Sequence, residues 1–182
     1  MATILGIEVD GGAVIAGDRL LAEGGTVRSE NERRVFDFGD LGAAAVGDSG
    51  DVDEFERRLE SEVRDHETQH GDPMTLTRFA SLASDIAGEL GVEAVVVGRD
   101  DREVARVRAI GADGGVLTDP TVALGSGAQV AAGILDGADR AVSLDAGERL
   151  AREVLDTVAE RDTGTGGEVD AFALGDDADR LG

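Results

Sequence analysis

The composition of this 182-residue chain excludes several classes of protein before any pattern is considered. Its 39 acidic and 17 basic residues give a formal charge of −22, which argues against a nucleic-acid partner because such a partner requires a basic surface. The absence of cysteine excludes disulfides, a thiol nucleophile and thiolate metal sites. No apolar run reaches roughly 18 residues and no basic signal segment begins the chain, so we expect a cytoplasmic protein with no membrane partner.

All of the basic residues are arginine and none is lysine. An acidic excess without lysine favours a protein that works in molar salt, where the Debye length falls to about 3 Å and self-repulsion is weak. A genome biased toward Ala, Gly, Asp and Arg codons is the alternative explanation. The length predicts a single domain over residues 1–182, long enough to bury about 70% of its unfolded surface.

The chain begins with a predicted β-hairpin over residues 2–19. Two apolar runs rich in β-branched residues are joined by Asp10, Gly11 and Gly12, and such a turn is a strong hairpin signal. A strand this close to the amino end predicts that the end is held in place, since termini fray when nothing anchors them. An α-amine held in a fixed position could take part in catalysis.

Further strands and two helices are predicted before residue 92. Residues 20–31 are rich in glycine and charge and predict a loop, whereas alternation over 34–38 and 41–46 predicts a second hairpin. Apolar spacings of three and four predict amphipathic helices over 51–70 and 76–90, the second closed by a glycine. The residues that carry these spacings are Val52, Phe55, Leu59, Val63, Leu76, Phe79, Leu82, Ala83 and Ile86.

The second half repeats the order of strands followed by helices. Ser143 is predicted to cap the last helix because its hydroxyl can accept a bond from the first turn. Residues 176–182, small and acidic, predict a frayed tail. The predicted strands are 94–97, 104–108, a pair at 116–117 and 121–124, and 168–174, and the predicted helices are 128–135 and 145–160. Antiparallel strands with segregated helices predict the α+β class rather than a doubly wound fold.

Several motifs occur in the order found in one protein family. Thr-Ile-Leu-Gly-Ile and Val-Ile-Ala-Gly-Asp-Arg form the first hairpin, and Gly47-Asp48, Gly125-Ser126-Gly127 and the segment Arg-Asp-Thr-Gly-Thr-Gly-Gly at 161–167 follow. On these motifs residues 2–175 resemble proteasome β-type subunits and the bacterial proteasome-like ATP-dependent protease. The resemblance implies the N-terminal-nucleophile hydrolase fold, a four-layer αββα sandwich of two antiparallel sheets between helix layers. It also implies a ring of this chain or related subunits, an ATPase regulator as a candidate further partner, and no cofactor.

The resemblance also implies the site residues. In that family the mature first residue is a threonine whose hydroxyl attacks the peptide bond and whose amine serves as base, supported by an aspartate and a lysine. Placing Asp18 on the aspartate puts Ala2 at the nucleophile position, Thr3 on the second residue and Arg34 on the lysine. The remaining matches are Gly47 at the oxyanion donor, Ser126, Asp162, and Thr165 in place of a serine.

These matches predict a non-catalytic, ring-forming member. Removal of Met1 would leave Ala2 with a free amine and no hydroxyl, and Arg34 cannot relay a proton as lysine can. Trimming to Thr3 would slip the strand by about 3.3 Å and move every side chain to the opposite face. We expect Asp18 and Arg34 to form an ion pair that keeps the pocket from collapsing.

Two enzymatic alternatives remain. The first is an active threonine-type endopeptidase that uses Thr3, or whose natural residue at position 2 is threonine. The second, more distant, is an amidase of the same fold that acts on a small molecule.

Other motifs predict little chemistry. His66 and His70 could share a helix face, but their polar surroundings indicate a solvated helix end and no metal site. The glycine-rich segment 125–128 lacks the lysine and spacing of a phosphate-binding loop. The acidic pairs 100–101 and 176–177 are interpreted as solvated faces. The charged faces of helices 51–70 and 145–160 are the expected places for subunit contacts.

Overall fold

The computed structural model describes residues 2–177, which form eleven strands and four helices. The strands are Thr3–Val9 (β1), Gly12–Asp18 (β2), Leu21–Glu23 (β3), Thr26–Ser29 (β4), Val35–Asp37 (β5), Gly42–Val46 (β6), Glu93–Arg99 (β7), Ala105–Ile110 (β8), Val116–Leu117 (β9), Thr121–Gly125 (β10) and Val169–Gly175 (β11). The helices are Ser49–His70 (α1), Leu76–Leu90 (α2), Ala128–Asp136 (α3) and Leu144–Ala159 (α4).

Two antiparallel sheets form the centre of the molecule. The first has the order β10-β1-β2-β11 and the second the order β5-β6-β7-β8-β9. The predicted first hairpin is confirmed, since β1 pairs with β2 from Val9 opposite Gly12 to Ile4 opposite Gly17. Gly11 forms the turn with φ at 82°, a conformation that glycine adopts without a steric penalty. The amino-terminal strand therefore lies inside its sheet with partners on both sides.

Three buried apolar layers hold the sheets and helices together. The α1 and α2 helices cover the outer face of the second sheet, and α3 and α4 cover the outer face of the first. Residues such as Ile4, Ile15 and Val95 fill the layer between the two sheets. The predicted α+β class and four-layer αββα sandwich are confirmed. Because both sheets are covered on both faces, β1 and β2 are apolar at nearly every position.

The predicted helix signals are also present in the structure. The inward residues of α1, including Phe55 and Leu59, are fully buried. The Ser143 hydroxyl accepts a hydrogen bond from the Ala146 amide at 3.2 Å and caps α4 as expected. The outer face of α1 carries ion pairs, and every ion pair described among residues 2–177 uses an arginine.

Two sequence predictions of local structure were wrong. The segment 20–31, predicted as a loop, contains the short hairpin β3–β4, whose turn uses Gly24 and Gly25 at φ values of 57° and 79°. The strands β9 and β10, predicted as a pair, belong to different sheets, because β9 pairs with β8 and β10 with β1. The chain therefore crosses between sheets after β9, and β10 reaches the start of β1.

The predicted tail begins with two residues that make hydrogen bonds. The Asp176 amide donates to the Gly11 carbonyl at 2.9 Å, and the Asp176 carboxylate accepts from the Ala105 amide at 2.8 Å. The Asp177 amide donates to the Glu103 carbonyl at 3.0 Å. The rest of the predicted tail, 178–182, lies outside the described residues.

Candidate functional site

The start of β1 sends consecutive side chains to opposite faces of the first sheet. The Ala2 methyl group belongs to the apolar layer between the sheets and is 1% exposed. Thr3 is fully buried and shares the other face with Leu5 and Ile7, which pack against α3 and α4. Positions 2 and 3 therefore present their side chains to different surroundings.

Asp18, at the end of β2, accepts three backbone hydrogen bonds in a buried position. Its Oδ1 accepts from the Thr3 amide at 2.9 Å. Its Oδ2 accepts from the Leu20 amide at 3.2 Å and from the Gly166 amide at 2.9 Å. The carboxylate thus joins the start of β1, the segment after β2 and the segment before β11.

Arg34 lies beside Asp18 but binds the main chain. Its guanidinium donates to the Asp18 carbonyl at 2.9 Å and to the Leu20 carbonyl at 2.8 Å, and the residue is 3% exposed. The prediction of a direct ion pair was wrong. Among the ion pairs described for residues 2–177, none joins the Asp18 carboxylate to the Arg34 guanidinium within 4.0 Å. We call Asp18 and Arg34 the buried charged pair, since their charges still interact at longer range.

Burial shifts the pKa values of Asp18 and Arg34 in the directions that favour the neutral form of each side chain. Desolvation raises the pKa of Asp18 above its ordinary value, although the amides of Thr3 and Gly166, the Arg34 charge and the Leu20 amide oppose the shift. Desolvation likewise lowers the pKa of Arg34, against the attraction of Asp18 and Glu32. Burial therefore disfavours the charged form of each side chain, and the nearby hydrogen bonds and opposite charges only partly compensate.

Four side chains near Asp18 form a second cluster, which we call the hydroxyl chain: Thr3, Thr165, Asp162 and Ser126. The hydroxyls of Ser126 and Thr165 donate to Asp162 Oδ2 at 2.5 Å and 2.6 Å. The oxygens Thr3 Oγ1 and Thr165 Oγ1 are 2.7 Å apart, and the Gly127 amide donates to Thr3 Oγ1 at 2.9 Å.

These contacts fix the direction of the hydroxyl hydrogens. Because Thr165 has one hydroxyl hydrogen and donates it to Asp162, Thr3 is the donor in the bond to Thr165. Thr3 in turn accepts from Gly127. The Thr3 hydroxyl is therefore buried, bonded on two sides and already committed as a donor.

The electrostatics of Asp162 differ from those of Asp18. Partial burial raises the pKa of Asp162, but the hydroxyls of Ser126 and Thr165 and the Gly164 amide outweigh it and lower the pKa below its ordinary value. Asp162 is therefore a stable carboxylate that orients two hydroxyls, while Asp18 is a carboxylate held at an electrostatic disadvantage.

Two glycines allow the segment after β10 to approach β1. A Cβ on Gly125 would overlap the Ala2 carbonyl, which accepts the Ser126 amide at 2.9 Å. A Cβ on Gly127 would lie 2.6 Å from Thr3 Oγ1. Both glycines are required by this close contact, which places the amino end of α3 against Thr3.

Gly47 follows β6 and borders a different space. It lines a cavity of about 250 Å³ together with Leu21, Ala22 and Asp48, between the β3–β4 hairpin and the start of α1. Within residues 2–177, no hydrogen bond is described that joins Gly47 to the buried charged pair or to the hydroxyl chain.

Residues 2–177 contain no group of three or more His, Cys, Asp or Glu side chains placed to hold a metal ion. None of the described helices has the length and apolar character needed to span a bilayer.

Comparison with known protein families matches residues 1–173 to the family described as "Proteasome subunit". The chain belongs to the proteasome subunit family. A proteasome subunit beta 2 from Haloterrigena turkmenica is 34% identical over 172 residues, which cover 92% of this chain and 73% of that protein. A proteasome subunit beta from Halomicrobium mukohataei is 36% identical over 188 residues, covering 99% and 78%. One from Halorhabdus utahensis is 34% identical over 170 residues, covering 90% and 72%.

Most residues predicted from the resemblance to proteasome subunits meet at the start of β1. Hydrogen bonds join Thr3 to Asp18 and to Thr165, and join Asp162 to Ser126 and Thr165. Arg34 reaches this group through the Asp18 carbonyl, whereas Gly47 lies beside the separate cavity.

Sequence reasoning missed the backbone donors of this proteasome family member. The amides of Gly127, Leu20 and Gly166 supply three of the bonds that organise the site. The glycines of the 125–127 and 164–167 motifs were a visible signal of close backbone approach, but a backbone amide leaves no mark in the sequence that shows which atom it bonds.

Proposed function

We propose that this chain is a non-catalytic proteasome β-type subunit that assembles into a ring with itself or with related subunits in a salt-adapted cytoplasm. One observation carries the proposal: position 2, the nucleophile position of the family, holds a buried methyl group. A methyl group cannot attack a carbonyl carbon, whether or not an amine is freed at that residue. Loss of the nucleophile from a catalytic unit costs on the order of a million-fold in turnover.

The geometry of Thr3 supports the same conclusion. Its nitrogen is a peptide amide bonded to Asp18, and its hydroxyl hydrogen is donated to Thr165. To act as the nucleophile, Thr3 would have to give up both bonds and turn its side chain to the face that Ala2 now occupies. That turn would also move Leu5 and Ile7 away from α3 and α4.

Arg34 supports it independently. A guanidinium stays protonated at any accessible pH and so cannot exchange a proton with a nucleophile. Both of its described hydrogen bonds go to backbone carbonyls, which is a structural use of the residue. The family's lysine position therefore contributes to the fold in this chain.

The relatives support a role within an assembly. They carry the name proteasome subunit beta and come from halophilic archaea, and the −22 charge of this chain matches a salt-adapted protein. The resemblance to proteasome β-type subunits also implies assembly into a ring. The charged outer faces of α1 and α4 remain the proposed places for subunit contacts.

Catalysis is tested by intact mass and by hydrolysis. The protein, purified in high salt, is weighed before and after exposure to a threonine-directed electrophile, and assayed with short fluorogenic peptides. We expect a mass without adduct and no hydrolysis above that of buffer. One adduct together with hydrolysis that Thr3→Ala abolishes would overturn the proposal in favour of a threonine peptidase.

Assembly is tested separately by light scattering in molar salt. We expect a particle of several subunits, formed by this protein alone or after mixing with a catalytic β subunit of a halophilic archaeon. A monomer under both conditions would refute the ring while leaving the catalytic argument intact.

A further inference from the structure

The sequence predicts no metal site at His66 and His70, but their geometry in the structure leads to a different inference. We propose that the two residues form a two-histidine binding site for a late first-row divalent cation, with Cu²⁺ bound more tightly than Ni²⁺ or Zn²⁺. The two residues lie one turn apart at the carboxyl end of α1. Their ring centroids are 4.4 Å apart and their planes are inclined by 41°. Imidazole nitrogen is a preferred ligand of all three ions, and Cu²⁺ stands highest in the general affinity order.

The helix places both ligands before any ion binds. Side chains four residues apart share one helix face, with Cβ atoms about 5–6 Å apart. α1 continues to His70 and ends at Gly71, whose amide donates to the Glu67 carbonyl at 2.8 Å. The backbone that carries the two rings is thus hydrogen-bonded on both sides of them, and chelation requires only side-chain rotation.

The surroundings allow a cation to enter. His70 is exposed and His66 is half-buried, so water can complete the coordination of an ion held by two imidazoles. Glu62 lies one turn earlier on the same helix face, and the formal charge of −22 attracts cations to the surface. The neighbouring cation Arg64 is paired with Glu60 at 2.6 Å. These charges favour approach but do not by themselves select an ion.

Selection comes from the nitrogen ligands. Mg²⁺ and Ca²⁺ take oxygen ligands, so an acidic surface attracts them as well as any other divalent ion. Two imidazoles discriminate against them. A site built by His66 and His70 should therefore separate Cu²⁺, Ni²⁺ and Zn²⁺ from Mg²⁺, whereas non-specific adsorption should not.

The experiment is a calorimetric titration of the full chain with each ion in molar NaCl, accompanied by the NMR signals of the two histidine rings. We expect one equivalent of Cu²⁺ to bind more tightly than Ni²⁺ or Zn²⁺ and to broaden both ring signals. Equal concentrations of Mg²⁺ should leave those signals in place. His66→Gln and His70→Gln should each weaken Cu²⁺ binding at least tenfold.

A spacing variant provides the matched control. The double substitution H66Q/T68H keeps two histidines but sets them two residues apart, where helical side chains do not face each other. Thr68 is exposed and its hydroxyl donates to the Arg64 carbonyl one turn earlier in the same helix, so the fold should survive, as circular dichroism would verify. We expect this variant to bind Cu²⁺ as weakly as the single variants. Equal binding by the parent and the spacing variant, or equal effects of Mg²⁺ and Cu²⁺, would overturn the proposal.

Discussion

The buried charged pair and the hydroxyl chain meet at Thr3, whose amide bonds Asp18 and whose hydroxyl bonds Thr165, and the two clusters are built on different principles. Asp18 and Arg34 bond almost wholly to backbone groups and are less than 4% exposed. The hydroxyl chain bonds side chain to side chain, and its end at Ser126 is exposed. The first cluster fixes the positions of strands. The second joins three hydroxyl groups to one carboxylate through hydrogen bonds between side chains.

The largest expected effect is on peptide hydrolysis, and it tests whether the hydroxyl chain can support catalysis. We expect Ala2→Thr combined with Arg34→Lys to hydrolyse fluorogenic peptides, because the pair restores a hydroxyl and an amine that can transfer a proton. Ala2→Thr alone should be slower by about 100-fold or more, the usual contribution of one proton-transfer group. The rates are compared in molar salt after intact mass has shown a free threonine amine.

Two outcomes would contradict this view. If Ala2→Thr alone matched the double variant, the guanidinium would be sufficient. If neither variant hydrolysed peptide, the hydroxyl chain would be structural like its neighbour.

The second prediction concerns the buried charged pair. Asp18→Ala leaves the amides of Thr3, Leu20 and Gly166 without their acceptor, and each unsatisfied buried donor costs about 1–3 kcal/mol. We expect the free energy of unfolding to fall by about 3 kcal/mol or more in chemical denaturation. The control Asp156→Ala, on the exposed face of α4, should change it by about 0.5 kcal/mol. Similar values for both would show that the bonds to Asp18 do not organise the fold.

The third prediction concerns the contact between the clusters. Thr3→Val keeps the shape of the side chain but removes the acceptor of the Gly127 amide and the donor to Thr165, and should destabilise by about 1–3 kcal/mol. Thr3→Ser keeps the hydroxyl and loses one methyl group, worth about 1 kcal/mol. A larger loss for serine than for valine in the same denaturation assay would mean that packing, and not the hydrogen bonds, is important at this position.

The smallest expected effect is on the pH dependence of stability, to which Asp18 and Asp162 should contribute with opposite signs. The folded-state pKa of Asp18 is raised, so the part of its contribution to stability that depends on protonation is present below the ordinary value of 3.8 and is lost as pH rises through the folded value, while its hydrogen bonds to the backbone remain. The pKa of Asp162 is lowered from 3.8, so its contribution is present above that value and is lost as pH falls through the folded value. Carboxyl carbon NMR titration should find the two on opposite sides of 3.8. Shifts of the same sign would contradict the contrast between the clusters.

Much of the fold could be predicted from the sequence because the signals are local. The turn at Gly11, the cap at Ser143 and the spacing of Phe55 and Leu59 each involve neighbours in the chain. The pairing of β10 with β1 could not be read in this way, since its partner lies more than a hundred residues away and no turn signal specifies it. The Gly24-Gly25 pair is a local turn signal for the β3–β4 hairpin, but its strands of three and four residues are too short to show a clear alternating pattern.

The candidate site was predictable by residue type but not by contact. The resemblance brought Thr3, Asp18, Ser126, Asp162 and Thr165 together, and hydrogen bonds join all five. The sequence could not show that Arg34 would donate to the carbonyls of Asp18 and Leu20 rather than to the Asp18 carboxylate. A guanidinium has five donors and can satisfy several acceptors, so its partners depend on the backbone path around it.

The ion pairs described among residues 2–177 have a practical consequence, because their cations are all guanidinium groups. Lysine is the side chain through which proteins are acetylated or joined to ubiquitin-like modifiers by isopeptide bonds, and this chain has no lysine to accept either. Amine-directed cross-linkers will likewise find no side chain to couple. Neighbours in an assembly would have to be mapped through the 39 carboxylates instead.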